Sequence, residues 1–317
     1  MEERILLQIV EEICSEENID FKTYSFGYVM QLEKNGKHKY IVRNKFDINT
    51  LATGIIMSDK VATYDILHAH NISAVEHKIV FNPITREKYI DDNGSVNEIF
   101  NYFKDHNGKI VIKIKDGTEG RDVFLCEDIK RLEKKAFEIL QEKNDLCLCP
   151  YYDIKNEYRT FCIEEECLLT YVKNKPFVEG DGKKSLKTLI LEYDIDLLRN
   201  YYENNDSLIE NDIDFDYVPK NKELVYLSWK FNLSQGAKPR LLSDKKKEKK
   251  VQDLARRVAE VLNLGFATVD IIETFDDELL LLEVNAGVMA NKFIDYIDDG
   301  YSIAKEIYRK AIIKMFE

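Results

Sequence analysis

ATVDIIETFDDELLLLEVNA, residues 267–286, consists of two apolar runs separated by an acidic turn at Asp276-Asp277. β-Branched residues before the turn and four leucines after it predict two strands joined as a hairpin. Side chains alternate along a strand, so Glu283 and Asn285 share a face, and hairpin pairing can bring Asp270 onto that same face. Two carboxylates and an amide oxygen are hard ligands suited to magnesium on nucleotide phosphates. Glu283 follows directly on the leucine run, where a buried strand should continue. An acid buried there needs a partner, and a metal ion is one.

Upstream, DKKKEKKVQDLARRVAEVLNLG (244–265) predicts a helix with Val251, Leu254, Ala255, Val258 and Leu262 on one face and Gly265 beyond its end. Downstream lies a C-terminal helix. EYRTFCIEEECLLTYVKN (157–174) reads as another hairpin, and LEYDIDLLRNYYENNDSLIENDIDFDYV (191–218) as an acidic helix and loop with no assigned chemistry. Before these comes an α/β unit. KIVIKIKD (109–116) is a strand that breaks into DGTEGRDV. EDIKRLEKKAFEILQEK (127–143) is a helix with Ile129, Leu132, Ala136 and Leu140 on one face. DLCLCPYY (145–152) is a short strand whose Cys147 and Cys149 are expected on opposite faces. SDKVATYDILHAHNIS (58–73) reads as a helix to about His70 with Ser58 as its N-cap. The first fifty residues hold one amphipathic helix, then TYSFGYVMQLE and KYIVRNKF around the turn Lys34-Asn35-Gly36-Lys37. Strands adjacent in sequence favour an α+β arrangement with antiparallel sheets over a doubly wound parallel one.

The 317 residues suffice for two or three packed subdomains, and 44% hydrophobic with 33% charged residues is a soluble enzyme's balance. A net charge of −12 argues against duplex nucleic acid or an anionic membrane as the main partner. It leaves room for a small anion held by local lysines. No apolar run approaches the ~20 residues a membrane span needs, and MEERILLQIVEEI does not suit a secretory signal. The expected location is the cytoplasm, with Cys14, Cys126, Cys147, Cys149, Cys162 and Cys167 reduced and half-buried rather than bridged.

Lys113 lies on the strand before the loop DGTEGRDV. A lysine on a buried strand is costly unless its ammonium meets an anion. Gly117 and Gly120 free the backbone so that consecutive N–H groups can converge on phosphate. The chain carries neither a Walker A sequence nor a dinucleotide fingerprint. Lys60 stands at a helix start, a position that also favours an anion. Arg159 and Lys173 on neighbouring strands could hold a carboxylate or a transferring phosphoryl group. Lys230, Asn232, Gln235 and Gly236 form a polar loop in WKFNLSQGA.

In this order and spacing the segments resemble the ATP-grasp superfamily, in particular its amino-acid ligase branch, which includes glutathione synthetase, the cyanophycin synthetase ATP-grasp domain and ribosomal-protein glutamate ligase. The resemblance runs from about Met57 to the C-terminal helix. It implies two α+β subdomains whose antiparallel sheets clamp ATP (57–150 with the phosphate loop, 151–317 with the metal site), preceded by a short region, 1–56. Lys60 and Lys113 match the two nucleotide lysines. Lys115, Gly117, Gly120 and Arg121 fall in the phosphate-covering loop, and Cys149, Tyr151 and Asp153 at the hinge. Arg159, Lys173 and Asn232 match substrate-side positions, and Gly180, Asp181 and Gly182 a Gly-Asp-Gly turn. Asp270, Glu283 and Asn285 match the metal-binding strands. Departures are Pro150 where the hinge acid usually binds ribose, Lys173 in place of arginine, and Ala286-Gly287-Val288 after Asn285.

The activity so implied is ATP-dependent joining of a carboxylate to an amine through an acyl phosphate, with ATP and two magnesium ions (manganese as a substitute). The partner would be an amino acid or peptide, and a homodimer is compatible with it. Two alternatives stay open: a phosphotransferase acting on a hydroxyl, and a non-catalytic nucleotide-binding module.

Overall fold

The computed structural model describes residues 2–85, 95–115, 117, 120, 122–194 and 214–317. Arg121 and residues 195–213 of the acidic stretch lie outside them. The chain forms two compact units. The first comprises Met1–Asp116, Asp122–Val172 and Leu241–Glu317; the second comprises Gly117–Arg121 and Lys173–Arg240. The functional division 1–56, 57–150 and 151–317 is drawn on other grounds and stays a proposal.

The first unit begins with helix α1 (Glu2–Glu16) and a four-stranded antiparallel sheet, β1 (Asp20–Tyr24), β2 (Val29–Lys34), β3 (Lys37–Val42) and β4 (Lys45–Phe46). The β2–β3 turn falls at Asn35-Gly36, as its sequence predicts, with both residues at positive φ. TYSFGYVMQLE is not one strand: a 3-10 turn at Ser25–Gly27, with Phe26 at φ 59°, breaks it into β1 and β2.

Next come α2 (Leu51–Ser58) and α3 (Lys60–Ala69). Ser58 is not the N-cap of the second helix. It closes α2, and its hydroxyl donates to Ile55 O. Asp59 caps α3, its Oδ1 accepting from the N–H groups of Val61 and Ala62 at 3.0 and 3.1 Å. The chain after α3 runs beside β15 (Leu279–Asn285): Val75 N donates to Leu281 O, and Leu281 N to Ser73 O.

The sheet of the α/β unit orders β5 (Lys78–Val80), β8 (Leu146–Pro150), β6 (Ile110–Ile114) and β7 (Val123–Cys126), all antiparallel. Helices α4 (Asn97–Asp105) and α5 (Ile129–Gln141) cover it through Ile99, Phe103, Leu132, Ala136 and Ile139. Ile129 is exposed; Ile139 occupies the interior face expected of it. Cys147 and Cys149 share a face rather than opposing each other, because a two-residue step is one full strand period. All six cysteines are free, and five are buried outright rather than half-buried.

A third antiparallel sheet carries β10 (Glu166–Asn174), β9 (Ile154–Ile163), β14 (Phe266–Thr274) and β15 in that order. Helix α7 (Lys245–Leu262) lays Val251, Leu254, Ala255, Val258 and Leu262 on it. The helix ends at Asn263, at φ 51°; Gly265 lies where the Ile48 carbonyl leaves no room for a Cβ. Asn49 ties the first fifty residues to this sheet: Nδ2 donates to Phe266 O at 2.7 Å, and Oδ1 accepts from Gly265 and Phe266 N–H at 2.7 and 3.2 Å. Helices α8 (Asn291–Tyr296) and α9 (Gly300–Phe316) end the chain. α9 meets α1 through Lys305 with Glu12 and Glu16, and Arg309 with Glu16 and Glu17.

The second unit is smaller. Strands β11 (Phe177–Glu179) and β12 (Leu224–Tyr226) pair, and α6 (Leu186–Tyr193) packs on them around Val178, Leu186, Ile190 and Leu227. Strand β13 (Lys238–Leu241) follows.

Candidate functional site

The register of the β14–β15 hairpin sets Asp270 directly across from Glu283, and Thr268 across from Asn285. The three expected metal residues therefore share one sheet face. Asn285 Nδ2 donates to Glu283 Oε1 at 3.1 Å, which leaves its Oδ1 and the second Glu283 oxygen as hard donors. Among the described residues no group of three His, Cys, Asp or Glu side chains is gathered as a metal cluster. The donor set here is two acids and an amide.

Asp270 carries a second relationship that its strand position does not reveal. It is fully buried, and Arg159 of β9 pairs with it across the sheet. Nε donates to Oδ1 at 2.7 Å and Nη2 to Oδ2 at 2.6 Å, a bidentate fork. Burial opposes the Arg159 charge, but the Asp270 charge and hydrogen bonds together with the other acidic groups around it hold the guanidinium well above its ordinary value. Glu283 and Asn285 thus fit a magnesium ion directly. Asp270 fits it as a neighbour whose charge is shared with Arg159.

Lys60 and Glu283 line one small cleft with Thr63, Tyr64 and His77. Lys60 Nζ stands 3.8 Å from Glu283 Oε2. Lys115 pairs with Asp59 Oδ2 at 2.8 Å, so one carboxylate both caps α3 and holds this lysine. Lys113 is buried on β6, with Cys147 its partner on β8. Its Nζ donates to His77 Nε2 at 2.7 Å. Burial works against the Lys113 charge; near neutrality, where the Cys149 and Cys147 thiols are protonated, the carboxylates of Glu283 and Glu157 work for it. Burial pushes the Cys147 thiol up to about 12, so it stays protonated near neutrality.

His77 was not legible in the sequence. It follows α3 as a lone histidine in NISAVEHKIV, with no spacing that marks it. Burial, then the Lys113 charge, holds it well below its usual value. Its Nδ1 lies 2.8 Å from Val75 O, a group that can only accept. Nδ1 therefore carries the proton, and the lone pair of Nε2 receives Lys113.

At the hinge, Cys149 is buried with Sγ 3.5 Å from Val111 O, Tyr151 lies under Lys109 at 4.1 Å, and Asp153 is exposed. Pro150 ends β8 opposite Ile110.

The remaining expected residues belong to the second unit. Gly117 and Gly120 lie in its loop segment, and Lys173 is buried at its start. Asn232 caps a 3-10 turn, Leu233–Gln235, through Oδ1 to Ser234 N–H at 2.9 Å. Its amide presses on Gly120, at φ 66°, where any Cβ would collide with it, and Gln235 Nε2 donates to Gly120 O at 3.1 Å. The structure thus joins Gly120 and Asn232, 112 positions apart by their numbers. In the Gly-Asp-Gly turn, Asp181 Oδ1 accepts from Lys183 and Lys184 N–H, and Gly180 packs against the Lys220 carbonyl.

No family model matches the chain. It is 27% identical over 281 residues to the glutathione biosynthesis bifunctional protein GshAB of Clostridium perfringens, across 84% of this chain and 33% of that protein. It is 24% identical over 276 residues to the GshAB of Listeria monocytogenes serovar 1/2a, across 81% and 33%. The chain spans about a third of the length of these relatives. Among solved structures it is similar to a bifunctional glutathione synthetase from Pasteurella multocida, with TM-score 0.56 and 17% identity over 96% of this chain and 43% of that one. A D-alanine–D-alanine ligase from Bacillus anthracis matches with TM-score 0.53 and 13% identity over 85% and 69%.

Proposed function

This chain has the ATP-grasp fold, and on that premise we propose that it is an ATP-dependent ligase, ADP-forming, that joins the carboxylate of an amino acid or peptide to an amine. The observation that carries the proposal is the cleft in the first unit, where Lys60, Glu283 and, through His77, Lys113 are drawn together. Two cations beside a carboxylate–amide pair suit a polyphosphate and its divalent ion. The names of the relatives, glutathione biosynthesis and D-alanine–D-alanine ligation, support the amino-acid or peptide substrate class.

In the reaction the substrate carboxylate attacks the γ-phosphorus of ATP, ADP leaves, and an acyl phosphate forms. The amine then attacks the acyl carbon, and inorganic phosphate departs with the amide bond made. Lys60 and Lys113 would hold the phosphates. Glu283 and Asn285, with Asp270 alongside, would hold magnesium, which neutralises phosphate charge when bound. Arg159, fixed by Asp270, keeps further N–H donors for the developing oxyanion. Gly117, Gly120, Arg121, Lys173 and Asn232 enter by resemblance alone. So do Cys149, Tyr151 and Asp153 for the nucleoside, and the two-ion count.

The test is phosphate release from Mg-ATP with pools of amino acids and short peptides, on the unmodified protein and on Lys113→Ala. ADP formation that depends on one substrate pair and vanishes in the variant is expected. A stable phosphate ester as product would replace the ligase by a phosphotransferase. Undiminished turnover in Lys113→Ala would remove that lysine from the mechanism.

A further inference from the structure

We propose that His77 is a positioning residue for nucleotide binding: its Nε2 aims the Lys113 ammonium at the phosphate chain. The inference rests on the nucleotide role proposed above for Lys113, and it concerns a residue that the resemblance does not assign.

An ammonium has three N–H donors. Lys113 is only 7% exposed, and among the described residues its one hydrogen bond is to His77 Nε2. Two donors are left in a site where burial penalises the charge, an arrangement that calls for an anion. A neutral imidazole suits the third donor. It accepts strongly, adds no charge to compete with phosphate, and has one free lone pair once Nδ1 is committed to Val75 O.

The anchoring matters as much as the bond. Val75, which holds the His77 ring through its carbonyl, donates its own N–H to Leu281 O on β15. Leu281 stands two positions before Glu283 on that strand. A continuous path of hydrogen bonds therefore runs from β15 through Val75 and His77 to Lys113. It sets the height of the lysine on β6 against the strand expected to hold the metal. Without His77 the four-carbon stem of Lys113 has its rotamers back, and ordering them again costs affinity.

The experiment measures binding of ATP and of adenosine, each with magnesium, by titration calorimetry. The proteins are the unmodified chain, His77→Leu, His77→Gln, Lys113→Met and the double variant His77→Leu/Lys113→Met. Leucine removes the acceptor. Glutamine offers its amide oxygen near the position of Nε2. His77→Leu is expected to weaken ATP about tenfold, the worth of one charge-assisted hydrogen bond, and to leave adenosine unchanged. His77→Gln should restore most of the loss, and the double variant should bind ATP no worse than Lys113→Met alone.

ATP affinity unchanged in His77→Leu while Lys113→Met weakens it would overturn the inference. So would equal loss of ATP and adenosine, the mark of a merely structural role, or effects that add in the double variant. If Lys113→Met binds ATP as the unmodified protein does, the nucleotide role of Lys113 itself falls and this inference with it. That outcome is separate from a failure of His77 alone.

Discussion

Replacing Asp270 with asparagine tests the least anticipated feature of the site. In the folded chain both carboxylate oxygens of this fully buried residue receive Arg159, at 2.7 and 2.6 Å. Asparagine keeps the shape and one acceptor, but it turns the second contact into a donor facing a donor. It also leaves the guanidinium without its main counter-charge. Breaking one side of a buried pair costs about 3–5 kcal/mol. The Arg159 side chain is 19% exposed, so water reaches part of the guanidinium and the lower end applies, about 3 kcal/mol. For a chain of 317 residues that lowers Tm by roughly 5 °C. Thermal unfolding followed by circular dichroism reads the shift. Adding Arg159→Met to Asp270→Asn should recover part of the loss, because no orphan charge then remains. A single variant melting within about 2 °C of the parent, or single-variant losses that simply add in the pair, would refute the reasoning.

Asn49→Ala strips three hydrogen bonds from the Gly265–Phe266 backbone and should cost about 2 kcal/mol, read as a lower denaturant midpoint with an unchanged m-value. Gly180→Ala forces a Cβ against the Lys220 carbonyl; it should destabilise the second unit by about 1–3 kcal/mol, seen as faster proteolysis within residues 173–240. Glu12 is held down from 4.5 to about 2, first by its bond to Lys305 and then by Gln8 and Tyr301. A depressed carboxylate binds more protons unfolded than folded, so its contribution is whole above pH 4.5 and fades as pH falls towards 2. Melting profiles across that window should therefore slope less in Glu12→Gln than in the parent, and parallel profiles would contradict the assignment.

The parts of the fold written in local patterns could be read from the sequence. The 267–286 hairpin shows itself by two apolar runs and a turn, and α7 by apolar residues at helical spacing. The fold class followed, and the face shared by Asp270, Glu283 and Asn285 followed from strand alternation and register. What escaped depends on partners far along the chain. Ser58 looked like an N-cap because nothing marks α2, a short helix with Gly54 inside it, as reaching Ser58. Arg159 and Asp270 were given separate tasks; only the β9–β14 register, 111 positions apart, makes them a pair. Lys113 was legible as a costly buried lysine, but its partner was not, since a lone histidine 36 positions earlier carries no periodic signal.

The pairing of α1 with α9 has a consequence in time. Glu12 meets Lys305 across 293 positions of sequence. On a ribosome adding about 5–20 residues per second, α1 waits roughly 15–60 s for that helix to be made. Through this interval the face bearing Leu6, Ile9, Val10 and Ile13, buried in the finished protein, lacks its final cover. A nascent chain of this kind should recruit a holdase early and release it late, and a ribosome stalled before α9 should leave a product that aggregates through its own first helix.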